Sequence, residues 1–228
     1  MLSGIIILQE VLPMKNQTKK LTATAMLCAL AFLATAIGRI PLVLFLKYDP
    51  KDVVIAIGGL IFGPFTSFVI ALIVSFIQML TISESGLLGF FMNVLSSCSF
   101  ACTAALIYRR KRRLSGAMAG LLSGIVCMAA VMLLWNYLIA PIYMGYPREE
   151  IVRLLLPAFL PFNLIKGGLN AAITMLLYKP VVTALRRSHL LDTETDAAKA
   201  RIYPAIICTA FLIIITCILI ILSLKGLL

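Results

Sequence analysis

The chain has 228 residues, of which 62% are hydrophobic and only 13% charged, and its mean hydropathy is +1.07. Soluble globular domains are about 45–50% apolar, so this composition excludes a soluble domain and predicts an all-α integral membrane protein. The formal net charge of +11 comes from basic clusters between apolar segments. Such clusters orient membrane proteins, so we expect no nucleic-acid partner.

The apolar segments predict membrane spans at about 21–38, 53–62, 64–82, 87–108, 115–137, 157–182 and 202–224. About 20 apolar residues are needed to cross a bilayer, so segment 53–62 is too short to be assigned by length alone. If it crosses, the lysines before the first span, the cluster 109–113 and the basic residues after the sixth span all share one face. Because basic clusters gather on the cytoplasmic side, we count it as a crossing.

This topology divides the chain into four parts: a cytoplasmic N-terminal tail at 1–20, a six-helix membrane domain at 21–187, a polar linker at 188–201 and an additional hydrophobic segment at 202–228. The apolar run before Met14 lacks a basic region before it and a small-residue cleavage site after it. No signal peptide is therefore expected. The additional segment is interpreted as a lipid-facing anchor.

Small residues recur at helical spacing in several spans. Gly116, Gly120 and Gly124 share one face of the fifth span, and such tracks allow helix backbones to approach closely in a bilayer. We therefore predict tight helix packing there. In the first span, Ala25 and Ala29 form a similar strip, which either packs internally or docks a partner.

The sequence lacks the motifs and residue types that several classes of function require, and we therefore do not expect those functions. There is no G-x-x-x-x-G-K-[ST] loop for ATP, the nine acidic residues are all assigned to loops or tails, and the one histidine, His189, follows the sixth span. Intramembrane enzymes, metal sites and proton relays need acids or histidines at depth. We predict no catalytic residue, no metal ligand and no cofactor. Cys98 and Cys102 share a helix face, but with no histidine or carboxylate expected nearby we interpret them as packing residues.

The sixth span contains a polar stripe. At 100° per residue, Asn163, Lys166 and Asn170 fall on one face, with Lys166 about 13 Å below the outer end of the helix. A lysine near the bilayer centre costs roughly 2.5–3.5 kcal/mol, and the acidic residues assigned to loops offer it no buried partner. The stripe therefore predicts a site for a neutral, hydrogen-bonding ligand.

Further polar residues lie at a similar predicted depth in other spans. They are Asn136, Asn93 and Gln78. Each either joins two helices by a hydrogen bond or contacts a ligand, and the sequence leaves both open. Aromatic residues in the predicted outer loops would supply apolar walls for a small-molecule pocket.

Five segments in this order, "FLKYDPKD", "GGLIFGP", "MNVLSS", "AALIYRRKRR" and "LPFNLIKGGLN", resemble the riboflavin-specific substrate-binding component of energy-coupling-factor (ECF) vitamin transporters. The resemblance covers about residues 20–187. It implies a six-helix bundle with a vitamin pocket on the outer side, covered by the loop between the first two spans. It also implies a plasma-membrane complex with a transmembrane coupling component and two cytoplasmic ATPase subunits.

The resemblance also implies roles for individual residues. It assigns Asn163 and Lys166 to the flavin, with Asn136 as a further contact, and the covering loop would contribute Leu46, Tyr48 and Asp49. The alanine strip corresponds to the docking face for the coupling component. Riboflavin is then the transported ligand rather than a cofactor. The alternatives are the same fold with another vitamin, a ligand-free membrane scaffold and, last, a membrane-embedded enzyme.

Overall fold

The computed structural model of the protein describes residues 2–43, 46–82, 86–188, 190 and 204–224. Its helices are α1 (Leu2–Gly38), α2 (Lys51–Phe62), α3 (Pro64–Thr81), α4 (Gly86–Arg110), α5 (Leu114–Met144), α6 (Arg148–Leu154), α7 (Leu160–Arg187) and α8 (Pro204–Leu224). A π-helical turn, Leu155–Phe159, joins α6 to α7. Most of the predicted linker, at 189 and 191–201, lies outside the described residues.

Several helical segments in the described part of the chain are long and apolar enough to cross a membrane. The segments with both properties are Gln17–Gly38, Pro64–Thr81, Gly86–Arg110, Leu114–Ile142 and Arg148–Leu185. They match the predicted spans near 21–38, 64–82, 87–108, 115–137 and 157–182, which confirms the prediction of a multi-span membrane protein. The last segment begins before the predicted residue 157, because α6 and the π-helical turn continue directly into α7.

Helix α2 has 12 residues, or about 18 Å at helical rise, and lies in the middle of the molecule. It packs against α1, α3, α4 and α7. Val53, Ile55, Ala56 and Ile57 are almost completely buried. A helix that is apolar on all sides is stable where other helices surround it. The all-round apolarity of the short α2 is therefore explained by its central position.

The connection between α1 and α2 contains a short β-hairpin. Strand β1 (Ile40–Val43) pairs antiparallel with β2 (Leu46–Tyr48), with Ile40 opposite Tyr48 and Val43 opposite Leu46. This hairpin departs from the all-helical prediction. It satisfies backbone groups between the two helices, and it brings Tyr48 and the following Asp49 to the start of α2.

Glycines on α5 allow close packing against α4. A Cβ atom built on Gly120 would lie 2.6 Å from the carbonyl oxygen of Ala104, and one built on Gly124 would lie 2.6 Å from that of Phe100. Only glycine fits at such distances, so the predicted packing track is confirmed at these two positions. Gly116 lies instead against the turn that precedes α5. We call the Gly120 and Gly124 contacts with α4 the glycine seam.

The helix order gives the bundle two different ends. The β-hairpin, the end of α3 and the start of α7 lie at one end, which we call the hairpin end. The turn between α2 and α3, the basic residues after α4 and the end of α7 lie at the other, the basic end. Polar side chains that enter the bundle from α2, α3, α4 and α7 meet towards the hairpin end.

Candidate ligand site

A buried ion pair lies between α2 and α7. The Nζ atom of Lys166 is 3.0 Å from Oδ2 of Asp52, and the relative exposures of the two residues are 6% and 0%. Lys166 Nζ also donates a hydrogen bond to Ser96 Oγ on α4, at 3.1 Å. The expectation that Lys166 has no buried acidic partner is therefore wrong. Asp52 occupies the first turn of α2 rather than the preceding loop.

Two further side chains donate hydrogen bonds to the Asp52 carboxylate. Ser97 Oγ donates a hydrogen bond to Oδ1, and Asn170 Nδ2 donates one to Oδ2 at 3.3 Å. A buried charge is tolerated when it is both paired and hydrogen-bonded. Asp52 meets both conditions through α4 and α7. We call the contacts of Asp52 with Lys166, Ser97 and Asn170 the polar seam.

A second charged group lies beside the polar seam, at the start of α2. Lys51 is fully buried; its Nζ atom donates a hydrogen bond to Gln78 Oε1 and lies 3.9 Å from Asp49 Oδ2. Gln78 Nε2 donates to the same carboxylate at 3.2 Å, and Arg39 Nε lies 3.2 Å from Asp49 Oδ1. Gln78 therefore joins α3 to the residue that follows the hairpin and to α2, which is the helix-joining role that the sequence left open.

Tyr48 connects the hairpin to α7. Its hydroxyl group donates a hydrogen bond to Asn170 Oδ1 at 2.8 Å. Burial, together with the nearby Asp52 and Asp49 carboxylates, raises the pKa of the Tyr48 phenol above its usual range, so the phenol remains a donor. Since Asn170 also donates to Asp52, its amide uses both an acceptor and a donor within the protein.

The other predicted polar residues are also buried, and two of them donate a hydrogen bond to a backbone carbonyl oxygen four residues earlier. Asn163 Nδ2 donates to the Phe159 carbonyl oxygen, and Asn136 Nδ2 to that of Met132, both at 2.8 Å. Asn93 is buried on α4, one helical turn before Ser96. Asn163, Lys166 and Asn170 therefore occupy one buried face as predicted, but only the last two meet at Asp52.

Five buried polar atoms have no hydrogen-bond partner among the described residues. Two of them, Arg39 Nε and Asp49 Oδ1, form the ion pair described above, which leaves three. They are Trp135 Nε1, Ser75 Oγ and Thr174 Oγ1. Trp135 precedes Asn136 on α5, and Ser75 lies one turn before Gln78 on α3. Buried polar groups are normally hydrogen-bonded, so these atoms have hydrogen-bonding capacity that the described residues leave unused. No group of three or more metal-ligating acids, histidines and cysteines occurs within the described residues.

The alanine strip lies on the outside of the bundle. Ala25 and Ala29 are exposed, as is Leu33 one turn further on, whereas Ala23 and Ala31 are buried on the opposite face of α1. The structure therefore separates alanines that pack internally from those that present a smooth outer surface.

Comparisons with known proteins identify the family. A model of the family "ECF transporter, substrate-specific component" matches residues 19–178. The chain belongs to this family. The ECF substrate-specific components are parts of transporters, which agrees with a membrane bundle that carries a buried polar site.

Individual relatives agree with this assignment. The chain is 31% identical over 181 residues to the riboflavin transporter RibU of Staphylococcus aureus (strain TCH60), covering 75% of this chain and 95% of the relative. It is 27% identical over 188 residues to the riboflavin transporter FmnP of Bacillus subtilis (strain 168), covering 76% and 99%. A solved S component of a bacterial ECF transporter shares the fold with a TM-score of 0.64 and 30% identity, covering 75% of this chain and 99% of that one.

Sequence reasoning missed the residues that surround Lys166 in this ECF component. The predicted span begins at Val53 and so places Asp52 in a loop, and the pattern gives no role to Ser96 and Ser97 in the "MNVLSS" segment. The available signal was the pair of acidic residues that flanks Lys51 immediately before an apolar run. A helix start placed two residues earlier would have brought Asp52 into the bundle.

Proposed function

We propose that this protein is the riboflavin-binding subunit of an ECF-type vitamin uptake transporter. The observation that carries the proposal is the buried Lys166, held by Asp52 on a polar face of α7. In a bilayer, ionisable residues at depth mark functional sites. The two curated relatives are riboflavin transporters by name, which supports a flavin as the ligand.

The proposed flavin contacts are Asn163 and Lys166, with Asn136 from α5. The pyrimidinedione edge of isoalloxazine alternates carbonyl acceptors with an N–H donor. An asparagine amide pairs with such an edge twice, and a lysine ammonium donates to a carbonyl. Because Asp52 balances the charge of Lys166, a ligand that is neutral at this edge is accommodated without a new buried charge.

Around these contacts, Gln78 and Asn93 extend the proposed polar lining of the site. Leu46 and Tyr48 lie on β2 of the hairpin, Asp49 follows it, and we propose that this connection covers the outer side of the pocket. Asn170 has a different proposed role. Because its amide bonds to both Tyr48 and Asp52, we infer that it anchors the cover to α7.

The proposed membrane topology follows the basic residues. We place the basic end in the cytoplasm of a plasma-membrane protein, with the tail 1–20 also cytoplasmic. Domain 21–187 then forms the six-helix vitamin-binding unit, in which the short α2 counts as a crossing. The linker 188–201 leads to the segment 202–228, which adds a seventh crossing.

Transport requires partners that supply energy. We propose that a transmembrane coupling component docks on the exposed Ala25 and Ala29 face of α1 and that two cytoplasmic ATPase subunits drive release. Small side chains permit close approach of a partner helix in lipid. The sequence has no phosphate-binding loop of its own, so we propose that another chain carries out ATP hydrolysis.

The proposed function is tested by titrating purified protein with riboflavin and following the quenching of flavin fluorescence. We expect saturable quenching, and no competition from thiamine or biotin. A protein that ignores riboflavin but binds one of the other vitamins would overturn the specificity. If none of the three vitamins changes thermal stability, a ligand-free scaffold would be favoured instead.

A further inference from the structure

Helix α8 lies outside the region matched by the family model, which ends at residue 178, yet it packs against the domain. Its inward residues are Ala210, Ile214, Cys217 and Ile221. The opposite side of α8 is exposed. The sequence predicts a lipid-facing anchor; the structure adds that one face of α8 is buried against protein.

The contact between α8 and α7 lies close to the polar site. A Cβ atom built on Gly168 would lie 3.6 Å from Cys217 Sγ and 3.8 Å from Ile213 Cγ2. Gly168 is two residues from Lys166 on α7. Small residues at such a contact let helices approach without a hydrophobic driving force. Gly168 and Cys217 therefore allow α7 and α8 to pack closely within the membrane domain.

The same contact reaches the hairpin. Tyr48 and Cys217 belong to one apolar cluster with three residues of α7: Phe162, Ile165 and Leu169. Helix α8 also contacts β1. It therefore touches both elements that the hydrogen bond from Tyr48 to Asn170 joins.

We propose that α8 is a built-in side wall of the ligand site, which holds the hairpin against α7 and slows ligand exchange. This side of α7 is thus covered by α8 of the same chain. This role of α8 rests on the proposed function, because the exchanged ligand is riboflavin. Loss of the α8 contact would free the apolar side of Tyr48 while leaving Asn163 and Lys166 unchanged.

The docking of α8 is tested without ligand by cross-linking. In full-length Gly168→Cys protein, mild oxidation should join the new cysteine to Cys217, because the Cβ position at 168 lies within reach of its sulfur. Peptide mapping by mass spectrometry would identify the bond among the native cysteines. The control Gly168→Cys/Cys217→Ser/Leu219→Cys moves the thiol to the exposed face and should not form it. Equal cross-linking in both proteins would overturn the docking.

The effect on exchange is tested by riboflavin dissociation rates. Cys217→Trp overfills the contact beside Tyr48 and should accelerate release roughly tenfold, whereas Leu219→Trp, on the exposed face, should leave the rate unchanged. Identical rates in wild type and both variants would overturn the side-wall role while leaving the proposed function intact. A wild-type protein that binds no riboflavin would overturn the proposed function and the exchange claim together, and the cross-link would still decide the docking.

Discussion

The glycine seam and the polar seam solve the same packing problem in different ways. Gly120 and Gly124 bring α5 against α4 with no polar side chain, whereas Asp52 and Lys166 join α2 to α7 through an ion pair. Small residues are sufficient to associate helices in a bilayer, and a buried ion pair is weak evidence for stability. The glycine seam is therefore explained by folding alone, whereas for the polar seam we propose a role in ligand binding.

The largest expected effect comes from removing one charge of the ion pair in the polar seam. Asp52→Ala leaves Lys166 buried without its counter-charge, which should lower the free energy of unfolding by about 3–5 kcal/mol. Thermal unfolding in detergent would measure the loss. The control Ser97→Ala keeps both charges and removes one hydrogen bond to Asp52, so it should cost only about 1 kcal/mol. Equal losses in the two variants would contradict a buried ion pair.

Disruption of the glycine seam should have a smaller effect of a different kind. Gly124→Val places a side chain against the Phe100 carbonyl oxygen and should destabilise the fold by roughly 1–3 kcal/mol. The folded fraction should bind riboflavin with wild-type affinity, as measured by fluorescence titration. Ala130→Val, on the exposed face of α5, is the matched control and should be neutral. Lost affinity in folded Gly124→Val protein would place this seam in the site.

The smallest expected effect concerns the hairpin. Tyr48→Phe removes the hydrogen bond to Asn170, which is worth about 0.5–1.5 kcal/mol, and keeps the apolar contact with α7 and α8. Riboflavin should dissociate a few-fold faster, whereas Tyr146→Phe, in an exposed loop, should not change the rate. Stopped-flow fluorescence measures both, and unchanged release from Tyr48→Phe would remove this bond from the cover.

Local periodicity predicted what depends on one helix. The common face of Asn163, Lys166 and Asn170 follows from 100° per residue, and the glycine track follows from a spacing of four. Contacts between distant segments were not predictable in this way. Asp52 was missed because a two-residue error in a helix start moved it from the bundle to a loop.

The hairpin and the buried face of α8 were missed for other reasons. The strands are only 4 and 3 residues long, too short for alternation to register as a pattern. In α8 the inward residues Ala210, Ile214, Cys217 and Ile221 recur at helical spacing. The surrounding residues are equally apolar, so hydrophobicity could not distinguish the buried face from the lipid-facing one.

We propose that the ion pair of the polar seam serves ligand binding more than stability. Lys166→Ala alone is a poor test, because it leaves the Asp52 carboxylate buried without its cation. The double variant Asp52→Asn/Lys166→Met removes both charges and should unfold near the wild-type temperature.

The decisive measurement is therefore an equilibrium riboflavin titration of wild type and Asp52→Asn/Lys166→Met, after circular dichroism has established equal helicity. We expect saturable quenching by wild type and roughly 10- to 100-fold weaker binding by the folded double variant. Equal riboflavin affinity in the two proteins would contradict this proposal.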